Sequence, residues 1–158
     1  MTAQAPDQLR VDGHWLIVLE RTLNAALPEE GCALLLGKTK DKSLELHRVW
    51  PCCNRWEPAR ERDHRFLLDP REQLLAQRWA REHALQVIGS AHSHPTSAAI
   101  PSQTDRELCF GPTLMVIASG LGNKRWRAWW LSGDDDGCEP RELPLRQGLA
   151  AGDQRLGK

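Results

Sequence analysis

Short apolar runs alternate along this chain with longer amphipathic stretches, and that alternation constrains its fold more than any other feature. CALLLGK from Cys32, LQVIGSAH from Leu85 and TLMVIAS from Thr113 are nearly continuous in apolar residues and short. Such runs read as strands covered on both faces. WLIVLERTLNAA from Trp15 instead places Leu16, Leu19, Leu23 and Ala26 three or four residues apart. That spacing predicts a helix with one buried face, ended by Pro28. DPREQLLAQRWAREHA predicts a second helix, with Asp69 as its cap, Pro70 in its first turn, and Leu74, Leu75 and Trp79 along one face. SLELHRVW from Ser43 and RWRAWWL from Arg125 predict two further strands. RFLLD from Arg65 and residues 138–144 predict two short ones, and Ser102 to Phe110 a short helix. GLGNK and SGDDDG read as turns. The fold class is therefore α/β, a single domain with one mixed β-sheet flanked by helices. Residues 1–13 read as a flexible polar lead-in, 14–145 as the folded domain and 146–158 as a flexible tail.

Composition narrows the partners. The chain has 158 residues, 41% of them apolar, which is enough for one packed core. Lys plus Arg and Asp plus Glu both number 21, so the formal charge is zero. That balance argues against a dedicated nucleic-acid or anionic-membrane partner. No apolar run approaches the roughly 20 residues that span a bilayer. The start lacks the basic-then-apolar pattern of a secretion signal, so a cytoplasmic location is expected. Five cysteines without a C-x-x-C pair indicate neither a disulfide framework nor a cysteine-rich metal site.

The chemistry concentrates where LQVIGSAH runs into AHSHPTSAAIPSQTD, residues 91–105. Side chains two apart on a strand share a face about 6.6 Å apart, a gap that two imidazoles close by leaning onto one ion. Pro95 keeps His94 extended, because a residue before proline avoids the helical region. Ser102 and Asp105 are three apart at a helix start and share one face of its first turn. S-x-x-D is also the spacing of a capping box, and a cap that fixes the helix start would also orient a ligand. Two imidazoles and one carboxylate match the ligand set of catalytic zinc, which keeps one position open. Such a centre needs a base from elsewhere in the fold. LPEEGCALLLG offers Glu29 and Glu30 directly before a buried strand, an unusual place for a merely solubilising charge.

Together these residues resemble a known signature. His92-x-His94, seven residues, Ser102, two residues and Asp105, with an upstream glutamate, are similar to the JAMM motif of the MPN/Mov34 metalloproteases. PEEGCALLLG is similar to that family's Pro-x-Glu-x-Cys-Gly-x-Leu-x-Gly, which aligns Glu30 rather than Glu29 with the catalytic glutamate. The likeness runs over roughly residues 10–145 and is strongest to small stand-alone prokaryotic members. It implies a cytidine-deaminase-like MPN architecture. It also implies that His92, His94 and Asp105 hold one Zn2+ per chain, that Glu30 is the general acid/base, and that Ser102 donates to the oxyanion. One position departs: Ala33 stands where the family usually has glycine, beside the strand that carries Glu30.

Members with this full set hydrolyse the bond after the C-terminal Gly-Gly of ubiquitin or a ubiquitin-like protein. Small bacterial members are associated with sulfur-carrier proteins of the same fold. The expected activity is thus that of a zinc isopeptidase or peptidase, with such a carrier as partner and a homodimer compatible with the sequence. Only RELCFGP separates Asp105 from the next strand, leaving no room for the insertion that larger members use to select ubiquitin linkages. The alternative is a non-catalytic MPN-type scaffold that binds a ubiquitin-like protein. Non-catalytic members usually lose a ligand, and this chain retains all of them. A nucleobase deaminase would need H-x-E and P-C-x-x-C, and neither occurs. Trp126, Trp129 and Trp130 read as strand residues with partly buried faces, the alternative being a platform for a partner.

Overall fold

The computed structural model describes residues 5–109, 111–120, 125–133 and 139–148. The turns expected at 121–124 and 134–137, and residues 149–158 of the expected tail, lie outside the described residues. Strand β1 (Gln8–Val11) is followed by helix α1 (Gly13–Asn24), β2 (Cys32–Lys40) and β3 (Ser43–Cys52). A loop with a 3-10 turn at Ala59–Glu61 leads to α2 (Pro70–Glu82), β4 (Gln86–His94) and α3 (Gln103–Glu107). The chain then forms β5 (Thr113–Ser119), β6 (Trp126–Leu131), β7 (Pro140–Leu143) and β8 (Leu145–Gln147). All eight strands join one mixed sheet in the order β7-β6-β5-β4-β2-β3-β1-β8.

The outermost strands, β7 and β8, are separated in sequence only by Pro144. The sheet therefore curls until its two edges are consecutive stretches of chain. Leu9 N–H donates to the Pro144 carbonyl (3.0 Å) at that junction. Nearly closing a sheet protects its edges from pairing with other chains. Strand β1 lies inside the stretch expected to be a loose lead-in. Its alternating Leu9 and Val11 are buried, and parallel pairing with β3 and β8 holds it. Four residues of alternation are too few to stand out among polar neighbours. Likewise β8 starts at the last residue of the expected domain and runs into the expected tail, because the other edge of β1 needs a partner.

Helix α1 lies on one side of the sheet, where Leu19 and Leu23 join Leu9, Val11, Ala33, Leu35, Ala91, Leu114 and Val116 in the larger core. Helix α2 lies on the other side, over Leu34 and Leu36 of β2. Its cap is as expected: the Asp69 carboxylate accepts from Arg71 N–H (2.9 Å), with Pro70 in the first turn. Of the expected face only Trp79 packs against the sheet. Ala76 and Ala80 face the sheet, whereas Leu74 and Leu75 are exposed. Small side chains allow the helix to approach β2 and β4 closely, and the leucines turn outward. RFLLD forms no strand among the described residues, since β2 is already flanked by β3 and β4 and offers no edge. Trp129 is buried and its Nε1–H donates to the Ala99 carbonyl (2.9 Å), while Trp126 and Trp130 pack on the larger core. The three indoles thus contribute to packing, as expected of strand residues with partly buried faces. Among the described residues no helix is long and apolar enough to cross a membrane.

Leu23 is fully buried at the C-terminal end of α1, against the segment leading into β2. Leu23→Ala is expected to lower unfolding free energy by about 2–5 kcal/mol in chemical denaturation. A loss under about 1 kcal/mol would contradict the packing described for α1.

Candidate metal centre

Strand β4 lies between β2 and β5, the innermost part of the sheet, and delivers the two histidines at its C-terminal end. The strand repeat sends His92 and His94 to the side opposite Ala91. Both are buried, and Phe66 stacks on His92 with ring centroids 4.2 Å apart and planes 21° apart. His94 Nδ1 donates to the Ala98 carbonyl (2.7 Å), which leaves a lone pair on Nε2 of the neutral ring.

Helix α3 supplies the carboxylate through a capping box. Asp105 N–H donates to Ser102 Oγ (3.0 Å), and Ser102 N–H donates to Asp105 Oδ2 (2.9 Å). The same Oδ2 lies 3.0 Å from His92 Nε2 and 3.3 Å from His94 Nε2, and the two Nε2 atoms are 3.0 Å apart. Cap and cluster are thus one arrangement. Ligand atoms about 2.05 Å from a tetrahedral ion stand about 3.3 Å from one another. The observed triangle has nearly that size, and with neutral rings bare at Nε2 all three corners can accept.

Glu30 comes from the turn before β2. It is 1% exposed, and its Oε1 lies 4.0 Å from His94 Nε2. Ligand atoms of Glu30, His92 and His94 all fall within 4.8 Å of one another, close enough to surround one ion. Glu30 Oε1 and His92 Nδ1 are buried without a hydrogen-bond partner among the described residues. Leaving such groups unsatisfied costs about 1–3 kcal/mol each, so the cluster fits a bound cation and water better than an empty, dry space.

Burial and mutual contact shift all four groups. Burial pushes the Glu30 carboxyl up to about 8, against the opposing pull of His94. Burial holds the His92 imidazole below its ordinary value. At His94 burial acts downward too, but hydrogen bonds to Asp105 and Ala98 outweigh it and raise the value. At Asp105 burial acts upward and is overcome by the two imidazoles, which hold its carboxyl well below the usual carboxylate range.

The five expected side chains meet here, Ser102 through the capping box and the others in the cluster itself. Glu29 is half-buried and stands outside the cluster. Ala33 packs on the α1 side with Leu35 and Ala91, away from the imidazoles, so its methyl group fills core rather than crowding the cluster. Several contributors escaped the sequence reading. Ser93, between the histidines, points the other way: its Oγ accepts from Gly31 N–H (2.8 Å), and its own N–H donates to the Gly31 carbonyl (3.0 Å). A Cβ at Gly31 would collide with the backbone of Leu23. Residue 31 must be glycine for α1 to pack there, and the pair with Ser93 locks the Glu30 segment to β4. A polar residue inside an apolar strand was the available signal. Phe66 and Asn54 were hidden in a charged loop.

An apolar groove of about 250 Å³ adjoins Asp105, lined by Leu34, Phe66, Leu68, Val87, Leu108 and Met115 among others. Cys32 is buried and its thiol is pushed up to about 12 by burial, and Cys52 up to about 11 for the same reason, which disfavours the thiolate at both.

A curled mixed sheet with a buried imidazole pair and carboxylate at the end of its innermost strand defines an α/β domain fit to hold one metal ion. The chain belongs to the family of prokaryotic homologs of the JAB domain, which matches residues 14–132. It is similar to the solution structure of protein DSY2949 from Desulfitobacterium hafniense, with 27% identity and a TM-score of 0.75 over 90% of this chain and 96% of that one. It is also similar to the solution structure of a protein from Salinibacter ruber, with 27% identity and a TM-score of 0.64 over 90% of this chain and 93% of that one. None of the curated proteins matches the chain.

A ligand that binds only the folded state stabilises it, by about 2.7 kcal/mol at a hundred times its dissociation constant. Titration with zinc or cobalt should therefore raise the melting temperature. His92→Ala and Asp105→Ala should remove that increment in differential scanning fluorimetry. An equal increment in either variant would place the cation elsewhere.

Proposed function

We propose that the protein is a zinc-dependent isopeptidase or peptidase that hydrolyses the bond after the C-terminal Gly-Gly of a ubiquitin-like or sulfur-carrier protein. The observation that carries this reading is Glu30: a buried carboxyl whose Oε1 has no hydrogen-bond partner among the described residues and lies 4.0 Å from His94 Nε2. That distance exceeds a hydrogen bond and leaves room for one water between them. His92, His94 and Asp105 would hold the ion. A bound zinc ion would supply Lewis acidity, both to the attacking water and to the scissile carbonyl.

Glu30 takes the proton from the attacking water and returns it to the leaving amine. Burial raises the Glu30 carboxyl and a bound cation would draw it back down, and a general base serves best when its pKa lies near the operating pH. Ser102 accepts from Asp105 N–H, so its own hydroxyl hydrogen is free to turn outward, toward an oxyanion. Family membership supports hydrolysis, and the groove beside Asp105 supports an extended tail as substrate. A Gly-Gly terminus suits a centre at the buried end of a strand, because residues without side chains reach where bulkier ones collide.

Glu30→Gln should abolish cleavage of a Gly-Gly-linked carrier fusion while retaining zinc by elemental analysis. Ser102→Ala should lower turnover by about 10²–10³-fold, as loss of an oxyanion donor does elsewhere. Undiminished turnover in the glutamine variant would overturn the mechanism.

A further inference from the structure

We propose that Asn54 is a positioning residue for Glu30, acting through the loop over residues 54–67. The inference rests on the reading of Glu30 given above. Asn54 follows β3, and its amide is the centre of a hydrogen-bond hub. Nδ2 donates to the Arg65 carbonyl (2.8 Å) and the Glu30 carbonyl (3.1 Å), with the Arg62 carbonyl at 3.5 Å. Oδ1 accepts from Trp56 N–H (3.0 Å) and Leu67 N–H (3.2 Å). One side chain thus meets the loop near both ends and grips the backbone of Glu30.

The loop returns the grip. Glu30 N–H donates to the Arg62 carbonyl (2.7 Å), so both backbone polar groups of Glu30 end on the Asn54 loop. Arg62 is itself fastened: Nε donates to the Trp56 carbonyl (2.7 Å) and Nη2 to Glu57 Oε1 (2.9 Å). One residue beyond Arg65, the loop delivers Phe66 onto the His92 ring. The hub therefore links the two halves of the centre. It fixes the Glu30 backbone on one side and the ring that covers His92 on the other. Glu30 makes no side-chain hydrogen bond through Oε1, so its carboxyl is aimed by this backbone grip and by the Gly31–Ser93 pair.

A loop asparagine that merely folds the loop would change stability alone. A positioning residue changes the environment of the bound ion and the turnover number. Asn54→Asp is nearly isosteric and keeps the oxygen that serves Trp56 and Leu67, but loses both N–H donors. Asn54→Ser, smaller and uncharged, runs in parallel in case the aspartate disturbs folding. Each variant is loaded with Co2+, and its stoichiometry, visible ligand-field bands, kcat and KM on a Gly-Gly-linked fusion are compared with wild type and Glu30→Gln.

The expected result is full cobalt loading, with bands displaced in the same direction as in Glu30→Gln. kcat should fall by about 10²-fold, the scale of a misplacement near 1 Å, with KM unchanged. Bands and kcat equal to wild type in the folded Asn54 variants, with both altered in Glu30→Gln, would overturn the role of Asn54 alone. Bands and kcat unaltered in Glu30→Gln would remove the reading of Glu30, and the Asn54 proposal with it. If the fusion is not cleaved even by wild type, the band comparison still decides the matter.

Discussion

Two imidazole nitrogens and a carboxylate oxygen held within hydrogen-bonding distance of one another are the constraint on which the rest of this structure depends. His92 Nε2, His94 Nε2 and Asp105 Oδ2 stand 3.0–3.3 Å apart inside the protein, where no bulk water screens them. Where both rings are neutral and bare at Nε2, lone pairs facing each other at that range repel, and burial strengthens the repulsion. A cation between them reverses the sign. The same cation would offset the cost of burying the Asp105 and Glu30 carboxyls.

Holding such a cluster in place requires stiffness on every side, and the fold supplies it with ordinary means. Strand β4 is paired on both edges, so the histidine spacing follows from the pleat. The capping box at α3 aims the Asp105 oxygen while it satisfies the helix terminus. Gly31 and Ser93 exchange two hydrogen bonds and fasten the Glu30 segment to β4, with Leu23 of α1 pressed against the glycine. The side of the sheet away from the imidazoles, built around α1, carries most of the core. Stability and the candidate chemistry thus use opposite faces of the same strand.

The parts legible in the sequence were those with a short-range code. Apolar runs marked β2, β4 and β5, the Asp-Pro start marked α2, and a two-part motif marked the cluster. What was not legible depended on partners distant in sequence. Strand β1 needs β3 and β8 before its burial makes sense. The outward turn of Leu74 and Leu75 depends on how closely α2 approaches the sheet, which helical spacing cannot tell. Asn54 and Phe66 sit in a charged loop whose shape comes from backbone carbonyls, and no residue pattern reports those.

The most direct measurement is a crystal structure of the protein grown with zinc, with anomalous diffraction recorded on both sides of the zinc absorption edge. The account predicts one peak about 2.0–2.2 Å from His92 Nε2, His94 Nε2 and Asp105 Oδ2. Glu30 should face it without contacting it. A peak elsewhere on the chain, or three side chains still clustered with no peak among them, would contradict it.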